Sequence, residues 1–157
     1  MNQTRHAPVL SIYEQLLDAW NGRRAADFAR LFADDGNAVG FDGSPLDGRA
    51  GIAEALGGIF ANHPTAAYVA KVREVREVAS GVTLIRAVVG MVPPGASDVN
   101  PAVNAIQSVI VVDRDGAMQI ALLHNTPAAF HGRPELADAL TRELTDVLRS
   151  GRTVEPL

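Results

Sequence analysis

The chain has 157 residues, 47% hydrophobic and 20% charged, a balance that fits a soluble globular chain rather than a disordered one and supports one domain with a real core. A formal charge of −4 and a pI near 5.5 speak against nucleic acid and anionic membrane surfaces, both of which demand a basic face. The absence of cysteine rules out disulfides, thiolate metal sites and a cysteine nucleophile, and fits a reducing cytoplasm.

No uninterrupted apolar core precedes Ser11, so no signal peptide is read there, and no stretch is long enough to span a membrane. The expected location is cytoplasmic. Residues 1–7 are polar and predicted to be loose, and Pro8 suits a first helical turn. Val9, Ile12, Tyr13, Leu16, Leu17 and Trp20 then recur at helical spacing, and Asn21-Gly22 ends that helix. A second helix is predicted over 23–33 with Phe28, Leu31 and Phe32 inward, followed by a turn at Asp34-Asp35-Gly36. A short strand over 37–41, a turn at 42–45 and a second short strand near Leu46 come next.

A third helix after Gly48-Arg49 carries Ile52, Leu56, Ile59 and Phe60, weakened by Gly57-Gly58. Over 66–79 the apolar residues Val69, Val72, Val75 and Val78 recur every third position, which is neither period. Their β-branching favours a strand shifted by a bulge near Arg73-Glu74, with a helix as the alternative. Residues 82–92 form a strand, and 96–100 a polar loop. The C-terminal helix opens at Arg133-Pro134-Glu135 with Leu136, Leu140, Leu144, Val147 and Leu148 as its stripe, and Gly151 stops it before a polar tail.

Residues 101–127 hold the most informative stretch. Two Val/Ile-rich arms flank Asp115-Gly116, a two-residue hairpin signal. That turn pairs Arg114 with Ala117, and counting back sets Gln107 opposite His124. Their common face then carries Ala105, Val109, Val111, Met118, Ile120 and Leu122. A three-residue loop would turn Asn125 inward instead. Both faces are mostly apolar, so the hairpin is expected to be covered on both sides.

Helices followed by a curved antiparallel sheet make an α+β pattern. The runs Ala19-Trp20-Asn21-Gly22, Phe28-Ala29-Arg30-Leu31-Phe32-Ala33-Asp34-Asp35-Gly36 and Gly48-Arg49-Ala50-Gly51-Ile52 resemble the nuclear transport factor 2-like (SnoaL-like) superfamily. The ending Leu123-His124-Asn125-Thr126-Pro127 is similar to its SgcJ/EcaC-type branch, found in enediyne and other polyketide biosynthesis. The resemblance covers residues 8–130. It implies a cone of helices and strongly bent sheet around a pocket, with the C-terminal helix an added element. Ketosteroid isomerases share that fold, but aligning these landmarks leaves Leu16 at their tyrosine and Gly40 at their base aspartate. Asp42, two positions on, reads as a turn cap. The Asp/His arrangement of polyketide cyclases is incomplete too, because no aspartate can be placed.

His124 carries an imidazole, the side-chain type suited to acid or base work near neutral pH, and is the candidate acid/base, with Gln107 orienting a substrate oxygen; a backbone-bonded structural histidine is the alternative. Gln107, Asn104 and Ser108 are polar on an oily strand, where an unpaired amide costs roughly 1–3 kcal/mol, so each needs a partner or a ligand. Tyr13, Trp20, Phe41 and Met91 are candidate cavity walls, with Asn104 and Asn125 as polar contacts; ordinary core packing is the competing reading for the aromatics. Arg86 is expected to point outward, and Lys71, Arg73, Glu74, Arg76 and Glu77 to form a solvated face. No dinucleotide or Walker motif occurs, the four histidines lack metal-ligand spacing, and Ser44 lacks a nucleophile-elbow context, so no cofactor and no metal are expected. The expectation is a pocket protein for a hydrophobic polyketide or polyene intermediate, dimeric through its sheet. It acts by proton transfer or, alternatively, binds without turnover or serves as an adaptor.

Overall fold

The structure, a computed structural model, describes residues 2–157, with side chains from residue 6 onward. The first helix, α1 (Asn2–Asn21), buries Val9, Tyr13, Leu16 and Leu17, as their spacing requires. It begins well before Pro8, so the loose segment expected over 1–7 is corrected; Met1 itself lies outside the described residues. Pro8 removes one internal hydrogen bond, and the buried turns beyond it offset that loss.

The second helix, α2 (Ala25–Arg30), is shorter than the predicted 23–33, and the strand β1 (Phe32–Val39) starts where that helix was expected to continue. Tertiary pairing overrides local propensity here: β1 lies parallel to β6 (Ala117–Pro127), and the Ile120 N–H donates to the Leu31 carbonyl at 2.8 Å. Phe32 aligns with Ile120 and Asn37 with Leu122, so residues 33–36 bulge opposite the single residue Ala121. Asp34-Asp35-Gly36 is that bulge rather than a turn. A Cβ on Gly36 would meet the Ile120 carbonyl oxygen at 2.6 Å, so the close approach of the two backbones demands glycine.

The short β2 (Pro45–Asp47) folds back on β1, and α3 (Gly48–Asn62) follows. Then come β3 (Ala67–Ala79), β4 (Val82–Val92), β5 (Ala105–Arg114) and β6, all antiparallel neighbours. The predicted bulge in β3 is present, between Val72 and Glu74. After α4 (Pro134–Arg149) the expected polar tail instead forms β7 (Val154–Glu155), because buried Val154 can cover the open edge of β3 beside Ala70. The sheet order is β2-β1-β6-β5-β4-β3-β7.

The concave side of this bent sheet packs on α1, α2 and α3 and forms the main core. The convex side is covered in part by α4, whose Leu140, Leu144 and Val147 bury against Val69, Val88 and Val99, with Ile106 at the margin. Leu136, expected in that stripe, is exposed. Arg73 clamps α4 through two bonds to Glu143, at 2.6 and 3.0 Å, and Lys71 bridges Glu143 and Glu155. The expected solvated face is thus half taken up by helix docking, while Arg86 does point outward, near Glu74. Beyond α4, Leu84, Ile110 and Leu122 lie side by side in register, only half-buried. Among the described residues, no helix is long and apolar enough to cross a membrane.

Candidate functional site: an apolar cavity with a neutral polar end

Between the helices and the concave sheet lies a cavity of about 340 Å³, within the usual range for small-molecule sites. Leu17 and Trp20 of α1, Phe28 of α2, and Leu56 and Ile59 of α3 form one wall. Residues 38–42 at the end of β1, with Ser44 and Leu46, form the rim. The sheet contributes Tyr68, Met91, Gln107, Leu123 and Asn125. Trp20 is held in place because its ring N–H donates to the Ala66 carbonyl at 2.9 Å, and its ring meets Phe28, Phe60 and Tyr68 at centroid distances of 6.0, 5.2 and 5.5 Å. Of the expected walls, Trp20, Phe41 and Met91 line the cavity. Tyr13 sits behind it, fully buried.

The polar end is a directed hydrogen-bond chain whose polarity is set by one backbone atom. The Val39 carbonyl can only accept, so Asn125 must present its amide Nδ2 there, at 3.0 Å. The Asn125 Oδ1 then faces Gln107 and accepts from Nε2 at 3.0 Å. That leaves the Gln107 Oε1 to accept the Tyr13 hydroxyl proton at 2.6 Å. Gln107 is 1% exposed, so these partners answer the question its burial posed. The Gln107 amide beside the Tyr68 hydroxyl lowers that group's pKa. Burial outweighs this effect and pushes the Tyr68 phenol up to about 12. Burial, and then Tyr68, push Tyr13 well above its ordinary value. Both phenols are therefore neutral donors, not bases, at physiological pH.

His124 is not part of this chain, and the expected Gln107–His124 pairing is corrected. The two-residue turn does form, with Asp115 and Gly116 at positive φ and Arg114 paired with Ala117. However, Val111 pairs with Ile120 while Ile110 pairs with Leu122, so Ala121 is an extra residue on β6. One extra residue inverts every side chain beyond it. Asn125 consequently faces Gln107 on the concave side, and His124 pairs with Ser108 on the convex side, outside the cavity.

Asn104 is also corrected. It is buried beneath α4 and donates to the Thr141 hydroxyl at 2.9 Å, serving helix docking rather than the cavity. Asp42 is the sole carboxylate among the described residues lining the cavity. It is exposed and accepts the Ser44 backbone N–H at 2.9 Å, the turn cap foreseen for it, and that bond holds its carboxyl below the usual range. Leu16 is in the solid core, while Gly40 lies on the rim. Tyr68 was missed because the valines at every third position obscured a period of two: Tyr68, Ala70 and Val72 alternate inward, before the bulge. Among the described residues, no cluster of three or more metal-ligating side chains occurs.

The architecture is the nuclear transport factor 2-like, or cystatin-like, α+β fold. A domain of unknown function with a cystatin-like fold from Nostoc punctiforme is similar to the chain, with a TM-score of 0.75 and 25% identity over 92% of this chain and 94% of that one. ActVI-ORFA from Streptomyces coelicolor superposes with a TM-score of 0.62, at 20% identity over 78% and 97%. An NTF-2-like protein of unknown function from Shewanella oneidensis gives 0.58, at 12% identity over 75% and 95%. No family model matches the chain. No curated protein matches it either.

Proposed function

We propose that this protein takes a hydrophobic small molecule into the cone and holds it there, acting as a binding protein rather than a proton-transfer catalyst. The cavity of about 340 Å³, apolar along its walls and ended by the neutral Tyr13–Gln107–Asn125 chain, carries this reading. Its walls and size suit a polyketide- or polyene-type intermediate of secondary metabolism, the class implied by the resemblance to the SgcJ/EcaC-type branch. A catalytic role for His124 loses its geometric support, because its side chain projects from the opposite side of the sheet to Gln107. The open interior also removes what would have favoured an adaptor with a plugged core.

The test uses Trp20, the single tryptophan of the chain and part of the cavity wall. Titration with neutral polycyclic aromatics should change its emission saturably, with a rise in melting temperature. Unchanged emission and melting temperature across such a panel would refute the reading. One observation favours turnover instead: the Asp42 carboxylate stands ionised on the rim. Saturable binding accompanied by an altered product that Asp42→Asn abolishes would establish that second reading.

We also propose that the stripe formed by Leu84, Ile110 and Leu122 pairs two copies of the chain. It is an apolar row left half-buried beside α4.

A further inference from the structure

We propose that Tyr68 is the specificity-determining residue of the cavity: its hydroxyl donates to a carbonyl oxygen, selecting neutral ketones, quinones or lactones over carboxylates and bare hydrocarbons. This rests on the binding function proposed above and names the chemistry it would recognise.

The inference follows from counting hydrogens along the chain. Fixed by the Val39 carbonyl, Asn125 and Gln107 turn their amide oxygens away from Val39 and use them to accept from Gln107 and Tyr13. The Gln107 Nε2 carries two hydrogens. One goes to the Asn125 Oδ1. Among the described residues the Tyr68 hydroxyl has no hydrogen bond of ordinary geometry, while the backbone groups of Tyr68 are both taken by Asn21, so the hydroxyl proton is not committed within the chain. Tyr68 is buried and lines the cavity, so that proton is presented to whatever occupies it. Asn125, likewise on the wall, commits one amide hydrogen to Val39 and retains a second. The polar end is thus a pair of donors.

Charge decides the rest. No cation is among the described residues lining the cavity, and the sole charged group there is the Asp42 carboxylate at the rim. A ligand carboxylate would be desolvated without a counter-charge and repelled on entry. A hydrocarbon would leave the donors unmet. A neutral carbonyl meets both conditions.

Three bicyclic probes separate these cases: 1-tetralone, tetralin and 1-naphthoate, titrated against wild type and Tyr68→Phe. Loss of one neutral hydrogen bond should weaken 1-tetralone about fivefold in the variant, while tetralin changes less than about twofold. In wild type, 1-naphthoate should bind at least about tenfold more weakly than 1-tetralone. A second measurement needs no variant: the carbonyl stretch of bound 1-tetralone should lie at lower wavenumber than in an apolar solvent. An equal loss of tetralin and tetralone in the variant, an unshifted stretch, or preferred binding of 1-naphthoate would overturn the assignment while leaving the pocket intact. Failure of every probe to bind would instead overturn the pocket reading, and this one with it.

Discussion

Replacing Gln107 with leucine tests whether the polar chain is a coupled unit. The substitution nearly conserves volume, so its cost comes from the groups left behind rather than from a void. Tyr13 is 0% exposed, and its hydroxyl has no described partner other than Gln107, so it becomes a buried orphan at about 1–3 kcal/mol. Asn125 is half-buried and can turn to water, so it adds less. The expected loss is about 2–3 kcal/mol, or roughly 4–12 °C in melting temperature for a chain of this size. The double variant Tyr13→Phe/Gln107→Leu removes both partners, so it should be more stable than Gln107→Leu alone by about 1 kcal/mol or more. Urea denaturation of wild type, both single variants and the double variant measures this, with an unchanged slope confirming a common unfolding transition. Additive losses in the double variant would refute the idea that these residues form one chain.

The clamp on α4 has a pH signature. The Arg73 guanidinium holds the Glu143 carboxyl below its ordinary value, so the pair stabilises the fold above about pH 4.3 and fades as pH falls through the folded value. Glu143 is more than a third exposed, so the gap between wild type and Glu143→Gln should stay under about 1 kcal/mol at pH 7 and close in acid. Urea midpoints across pH 3–7 would show this, and a gap independent of pH would exclude it. On the convex face, Ile110→Glu places a charge in the proposed dimer stripe and should halve the mass seen by sedimentation without lowering stability by more than about 1 kcal/mol. A wild type already monomeric at high concentration would dispose of that interface.

The elements legible in advance were those whose signal is local. The α1 stripe, the Asp115-Gly116 turn and the β3 bulge all follow from side chains within a few residues of one another. Phe32 and Val154 escaped because their strands exist only through distant partners, β6 and β3. The cavity was half legible. Gln107 announced itself as an amide on an oily strand, and Trp20, Phe41 and Met91 as walls. His124 and Asn125 were exchanged because nothing in the run Ile120-Ala121-Leu122-Leu123 marks which residue is surplus. All four are apolar, and the bulge is set by β1, which spends residues 33–36 opposite Ala121. Asn104 was misplaced because a buried amide under α4 and one in a pocket look alike until the helix is docked.

Ala121 makes the character of the cavity a matter of parity. Beyond it, odd and even positions of β6 trade faces, and the two adjacent positions hold an amide that cannot titrate and an imidazole that can. Were the same strand to pair straight through Ala121 without the bulge, Ile110 would face Ala121, and the imidazole would come to the place beside Gln107 where the amide now stands. A register shift in a strand is ordinarily counted as damage. Here it would also exchange an amide for an imidazole on the wall of the cavity. Relatives of such a chain can differ in chemistry while keeping every polar residue, simply by where the strand takes up its slack.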